Sequence, residues 1–255
     1  SSMLIGRALD VLDGVCDMRV VSVDGGLKDN AIPVESFAVV VVSDEKKARE
    51  ALEKFGDDLK NEYRTPDPDV TLCVESAAPT VLPMTNADSE KVVTLLTCMP
   101  NGLIELSMDV AGLPQTSLNL GILTTSENEV SASFCVRSSV SSQKEMLKKR
   151  LTRMTALLGG TVSYFGEYPA WEFKSDSPIL KLCADVYEKK FGKKPVITAI
   201  HGGLECGLFS EKMPGLDCVS FGPDIFDIHT PREKLSVSSL NRTWEFLLEV
   251  LKEMK

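Results

Sequence analysis

Ser117-Leu-Asn-Leu-Gly-Ile-Leu-Thr-Thr-Ser-Glu-Asn-Glu-Val-Ser-Ala-Ser-Phe-Cys-Val136 decides the fold. Two short runs rich in β-formers, Ser117–Leu123 and Val130–Val136, flank the polar turn Thr124-Thr-Ser-Glu-Asn128. That pattern reads as a β-hairpin. Helical spacing follows it. Ser142 with Glu145 reads as a capping box, and Leu147, Leu151, Met154 and Leu158 recur on one face. Gly159-Gly160 stops the helix, and Thr161–Phe165 reads as a further strand.

The same grammar occurs once more upstream. A strand at Arg19–Val23 is followed by a turn through Gly25-Gly26-Leu-Lys-Asp-Asn30 and a strand at Phe37–Val42. Ser43 then opens a helix with Ala48, Leu52, Phe55 and Leu59 on one face. A helix at about Asp88–Cys98, ending at Pro100-Asn-Gly102, lies between the copies. A hairpin plus a helix, twice, predicts a ferredoxin-like α+β region of two pseudo-repeated lobes over residues 1–166. The start, Ser1-Ser-Met-Leu-Ile-Gly-Arg, runs almost at once into an amphipathic helix and suits a cut from a longer polypeptide.

The texture changes after Gly166. Tyr168-Pro-Ala-Trp171 and Ser175-Asp-Ser-Pro178 read as a linker. Ser177 as N-cap, with Pro178 at the first helical position, starts a helix to Phe191 that Gly192 ends. A strand at Val196–Ala199, a short helix after Gly203, a strand at Cys218–Phe221 and a helix at about Ser239–Met254 complete the pattern. Alternating elements of this kind predict an α/β segment over residues 167–255. Two strands make an incomplete sheet, whose faces must be covered by a partner or a missing segment.

The composition, 43% hydrophobic and 25% charged, is that of an ordinary globular chain. The formal net charge of −9 argues against nucleic acid as partner, since phosphate binding needs basic patches. The longest basic cluster, Lys148-Lys149-Arg150, reads as a solvated helix face. No apolar stretch is long enough to span a membrane. Seven cysteines form no C-x-x-C pair and read as small buried hydrophobes in a reducing compartment. The expected location is cytoplasmic.

The chemistry concentrates in the last quarter. Only two histidines occur, in Ala199-Ile-His201-Gly-Gly-Leu-Glu205-Cys-Gly207 and in Gly222-Pro-Asp-Ile-Phe-Asp-Ile-His229-Thr-Pro231. Each loop follows an expected strand, where α/β proteins keep their sites. Neutral imidazole is the commonest side-chain metal ligand; a loop histidine bonded to backbone is the plainer alternative. Asp224 and Asp227 are near enough in sequence to orient the His229 ring. The amides of Gly202 and Gly203 open a helix and suit a carboxylate; a tight turn would also explain those glycines. Glu205 and Cys206 read equally as ordinary helix residues. Arg137, at a strand end, suits bidentate grip of a carboxylate or simple exposure. Asn30 reads equally as turn chemistry. No P-loop, G-x-G-x-x-G, G-x-S-x-G or H-E-x-x-H occurs. A complete metal site cannot be assembled from these residues.

His201-Gly-Gly-Leu-Glu-Cys-Gly-Leu-Phe209 closely resembles the His-Ala-Gly-Leu-Glu-Cys-Gly-Leu-Phe motif of the aminoacyl-histidine dipeptidases, dinuclear zinc peptidases related to carnosinases. Val219-Ser-Phe-Gly-Pro223 with His229-Thr-Pro231, Asp29-Asn-Ala-Ile-Pro33, Cys135-Val-Arg-Ser-Ser139, Pro100-Asn-Gly102 and Gln115-Thr-Ser-Leu-Asn119 are similar to stretches of that family in the same order. The resemblance implies a lid at residues 1–166, inserted into a catalytic domain whose C-terminal part is residues 167–255. It assigns His229 as a zinc ligand, and Asn30, Arg137 and Gly203 to the dipeptide, chiefly its C-terminal carboxylate. His201 and Glu205 stand as supporting residues. The family's other metal ligands, its general-base Glu and a lid histidine would precede Ser1, so the resemblance puts no catalytic residue in this chain.

The reading is therefore a fragment of a zinc-dependent dipeptidase for short peptides such as Xaa-His, inactive alone and dimeric through its lid. A non-catalytic dimerisation or small-ligand-binding module is the alternative. A hydrolase completed by a separate chain is the third.

Overall fold

The computed structural model describes residues 1–78, 81–200, 203–228 and 230–254. The chain divides into two compact units. The first comprises Ser1–Glu105, Thr116–Arg137 and Gln143–Tyr164; the second comprises Leu106–Gln115, Ser138–Ser142 and Phe165–Lys255.

The first unit is built on a five-stranded sheet. β1 (Met18–Gly25) pairs antiparallel with β2 (Ser36–Val42), with a register shift between Val20 and Ser22. β4 (Pro114–Thr125) is flanked by β1, β3 (Gly102–Leu106) and β5 (Val130–Ser138), giving the order β2-β1-β4-β3 with β5 on β4. Backbone pairing of β1 with β4 is confined to Gly25 opposite Leu123. Side chains complete that seam. The Thr125 hydroxyl accepts from Val23 N–H and donates to Val23 O, both at 2.8 Å, and Asp24 Oδ1 accepts from Thr125 N–H at 2.8 Å.

Three helices cover the β1 side: α1 (Ser2–Asp13), α2 (Glu45–Tyr63) and α3 (Asn86–Cys98). Their apolar stripes meet in one core: Leu9 and Leu12 of α1, Leu52 and Phe55 of α2, Val92 and Leu96 of α3, against Val20, Val23, Leu120 and Leu123 of the sheet. α1 and α3 approach closely at Gly6, where a Cβ would lie 2.5 Å from Leu96 Cβ. The predicted face Ala48, Leu52, Phe55, Leu59 is buried as a set. α4 (Ser141–Leu157) buries Leu147 and Leu151 with Leu118 and Met99 in a smaller core. Among the described residues no buried side-chain polar atom lacks a hydrogen-bond partner. Burial of polar groups is tolerable only on that condition.

The second unit holds α5 (Pro178–Phe191), α6 (Glu205–Lys212), the two-residue strands β6 (Ile225–Phe226) and β7 (Lys234–Leu235), and α7 (Val237–Glu253). Cys183 and Val186 of α5 pack on Phe246 and Val250 of α7. Tyr187 and Phe221 meet Phe246 edge-on, with ring centroids at 5.6 and 4.9 Å. α5 ends at Gly192 with φ +69°, the left-handed cap that glycine favours. No helix among the described residues is long and apolar enough to cross a membrane.

Several expectations need correction. Residues 161–165, 196–199 and 218–221 are not strands. An apolar run becomes a strand only when a neighbour takes its backbone N–H and C=O groups, and none of these runs has one among the described residues. Helix α2 is capped by Asp44, which accepts from Lys47 N–H at 3.0 Å, rather than by Ser43. Ser43 instead accepts from Asp17 N–H at 3.1 Å. Ser142 lies inside the first turn of α4 and is not its cap. Of the seven cysteines only Cys183 is fully buried; Cys73 and Cys98 are exposed, and all seven are free thiols.

Candidate functional site

Asn30 sits at an exposed turn between β1 and β2. The turn is held from outside. Asn119 of β4 donates one side-chain hydrogen bond to Asp29 O and another to Ala31 O, each at 2.8 Å. Ala31 N–H donates to Lys28 O at 3.3 Å. Pro33 is buried, and its carbonyl accepts from the Ser1 amine and hydroxyl. The turn lies directly on Gly121, where a Cβ would come within 2.2 Å of Asp29 O. Gly26, at φ +74°, has no room for a side chain either, since a Cβ would lie 1.9 Å from Gly121 O.

Arg137 is half-buried near the end of β5. The β4–β5 hairpin is bracketed by Ser126 N–H to Glu129 O at 2.9 Å and Ser139 N–H to Gln115 O at 3.0 Å. Between those bonds the ladder places Arg137 beside the Ser117–Leu118 step of β4. The Asn30 turn and Arg137 thus converge on one stretch of β4. The guanidinium has no ion-pair or hydrogen-bond partner among the described residues. A half-buried arginine fork without a carboxylate is suited to bind one.

Gly203 and Glu205 belong to the second unit. Gly203 is exposed and packs against Tyr168, whose Cγ would lie 2.6 Å from an added Cβ. Gly207, four residues on and buried, lies under Pro169 O, 2.8 Å from where a Cβ would be. Gly203 precedes the helix and Gly207 lies within it, and each leaves room for part of residues 168–171. They let the segment around 168–171 lie on the start of α6. No side chain caps α6, so its first-turn N–H groups remain suited to an anion. Glu205 is exposed in that turn. Burial pushes the Cys206 thiol up, and Cys218 and Glu205 push it further. A raised thiol is a poor nucleophile.

His201 and His229 lie outside the described residues, so their roles rest on the sequence alone. The flanks of position 229 are ordered by Thr230. Its hydroxyl donates to Asp227 O at 2.7 Å and accepts from Arg232 N–H at 3.2 Å. Asp227 adopts φ +53°, and antiparallel pairing of Ile225 with Leu235 closes the loop's base. Asp224 and Asp227, candidates to orient an imidazole, face Arg242 at 3.4 Å and Lys234 at 3.8 Å. Among the described residues no three His, Cys, Asp or Glu side chains stand together as a metal site. His201 and His229, the two imidazoles of the chain, lie outside that set.

A cavity of about 570 Å³ lies within the second unit, lined by Trp171, Tyr187, Val196, Ile200, Phe221 and Phe246 among others. Its wall includes two of the three runs that were expected to be strands, 196–199 and 218–221. Neither Gly203 nor Glu205 lines it, so it is distinct from the candidate binding residues. Asn119 entered the sequence analysis only as the end of the Gln115–Asn119 stretch and Tyr168 only as linker, with no role for either; the local mark of Asn119 is a polar residue interrupting an apolar strand, Leu118-Asn-Leu120.

Comparison with known proteins fits this pattern of retained motifs. The chain is 34% identical over 240 residues to the cytosol non-specific dipeptidase of Escherichia coli (strain K12), covering 93% of this chain and 50% of that protein. The crystal structure of the aminoacylhistidine dipeptidase from Vibrio alginolyticus superposes with a TM-score of 0.88 at 35% identity, covering 100% of this chain and 52% of that one. The chain thus spans about half the length of these relatives. Residues 11–253 match the peptidase family M20/M25/M40, and the chain belongs to that family.

Proposed function

We propose that this chain is the lid and the C-terminal catalytic part of a zinc-dependent dipeptidase acting on short peptides such as Xaa-His, with residues 1–166 as a ferredoxin-like lid and 167–255 as an incomplete α/β segment. One observation carries the reading: a half-buried Arg137 on β5, without an ion-pair or hydrogen-bond partner among the described residues, beside the stretch of β4 that holds the Asn30 turn. In this reading Arg137 takes the substrate's C-terminal carboxylate bidentately and Asn30 bonds its backbone; Gly203, in the second unit, is a further residue assigned to the dipeptide through its amide. A charged clamp at one end fixes the register of a short peptide.

Zinc enters only as the cofactor of this class of peptidase, where it polarises the carbonyl and activates water. His229 is the one ligand assigned here, with His201 and Glu205 as supporting residues. No step is derived through the metal. The parent protein is taken to be cytosolic and to pair through its lid.

The isolated 255-residue chain is expected to bind alanyl-histidine weakly and to show no hydrolysis of it in the presence of zinc. Robust hydrolysis would overturn the fragment reading. Amidation of the dipeptide's carboxylate and Arg137→Ala should each abolish binding, measured by titration calorimetry. Binding that survives Arg137→Ala, together with a stable dimer in sedimentation, would favour a non-catalytic dimerisation module.

A further inference from the structure

We infer that Asn119 is a positioning residue that sets the Asn30 amide for substrate; this rests on the proposed role of Asn30. The two carbonyls flanking Asn30, those of Asp29 and Ala31, accept the two N–H groups of one side chain, each at 2.8 Å. An amide of this kind offers two donors in a fixed plane. Both are spent on the carbonyls of the residues before and after Asn30, which brackets that residue without contact to its own side chain. Asn119 is itself fixed. It lies on β4, where the next residue, Leu120, donates its N–H to the Asn101 side chain at 2.7 Å and is buried.

The neighbouring glycines show that the turn must lie at one height above β4. Asp29 backbone atoms sit 2.2 to 2.5 Å from where a Gly121 side chain would be, and Gly26 meets Gly121 O at 1.9 Å in the same sense. The turn needs such a hold because its own residues offer little. Leu27, Ile32 and Val34 are 95%, 82% and 97% exposed, so burial does not restrain them. Apart from the Ala31-to-Lys28 bond, polar contacts to β4 and to the N-terminus order the turn.

The test uses Asn119→Asp, which keeps the shape and removes both donors, with Asn119→Ala as a second variant should the first melt early by circular dichroism. The reporter of the pin is hydrogen exchange at the Ala31 amide. The reporter of function is alanyl-histidine affinity, with Asn30→Ala as reference. Loss of two hydrogen bonds predicts about tenfold or greater acceleration of Ala31 exchange. Affinity should fall about as far as in Asn30→Ala, and the double variant should be no weaker than Asn30→Ala alone, since coupled residues are not additive. Unchanged Ala31 exchange overturns the inference, as does faster exchange with wild-type affinity while Asn30→Ala weakens binding. If Asn30→Ala itself leaves affinity intact, the inference fails at Asn30, through the proposed function, and the exchange data still report whether Asn119 holds the turn.

Discussion

The start of α5 supports a prediction in which charge and hydrogen bonding can be separated by pH. Pro178 has no N–H to satisfy. The next three amides are all taken: Ile179 by Asp217 Oδ2 at 3.0 Å, Leu180 by the Ser177 hydroxyl at 3.1 Å, and Lys181 by Ser177 O at 3.2 Å. Burial pushes the Asp217 carboxyl up, but hydrogen bonds from Ile179 N–H and the Ser177 hydroxyl, together with the Lys174 charge, bring it below the ordinary carboxylate value. Ser177→Ala should cost about 1 kcal/mol, and up to about 2 because it also frees Asp217. Asp217→Asn keeps an acceptor and loses the charge at a helix N-terminus, a cost of about 0.3–1 kcal/mol. The sign follows from the lowered value: Asp217 contributes fully above the unfolded value of about 3.9, and the contribution is lost as pH falls through the folded value. The gap between wild type and Asp217→Asn should therefore be constant from pH 7 to about 5 and close below about pH 4, while the Ser177→Ala cap loss persists. Urea unfolding followed by tryptophan fluorescence reads this directly, because both tryptophans, Trp171 and Trp244, belong to the second unit. A gap that is absent at pH 7, or that does not narrow on acidification, would refute the reasoning.

Three further perturbations address packing. Leu96 is fully buried, so Leu96→Ala should destabilise the first unit by about 2–5 kcal/mol in a far-ultraviolet circular dichroism melt. Gly6→Ala should cost about 1–3 kcal/mol by overpacking, and Leu96→Ala should not rescue it, because the clash at 2.5 Å is with Leu96 Cβ, which alanine retains. Gly203→Ala should displace the Tyr168 ring and cost about 1–3 kcal/mol, read as a shift in Trp171 emission and in the urea midpoint of the second unit.

What could be read ahead of the structure follows from range. The apolar face of α2 and the cap and stop of α5 are encoded within one or two turns: Ala48, Leu52, Phe55 and Leu59 are buried together, and Ser177-Pro178 to Gly192 is found at the residues expected. Strand pairing is encoded elsewhere in the chain. Val196–Ala199 and Cys218–Phe221 have strand composition, but no residue near them says what will take their backbone groups. β3 escaped notice because its burial pattern leaves only Ile104 partly covered, so it carries no alternation to detect. β6 and β7 are two residues each, below any periodic signal. At the candidate site, Arg137 and Asn30 were visible as residue types in marked contexts. The hold of Asn119 on Asp29 and Ala31 spans about ninety positions, so nothing near Asn119 in sequence names its partners.

The seam between β1 and β4 has a consequence for the order of folding. β1 with β2, and β4 with β5, are consecutive antiparallel pairs joined through residues 26–35 and 126–129. The Val23–Thr125 bonds that unite them close a separation of 102 residues. Loop closure is costlier the longer the loop, and contacts at such range form after local ones. Each hairpin should therefore condense with its own helix before the sheet becomes continuous, and the seam should be the last part of the first unit to form. Folding kinetics of Thr125→Val test this: the variant should unfold faster while folding at the parent rate, and a slowed folding limb would place the seam in the nucleus instead.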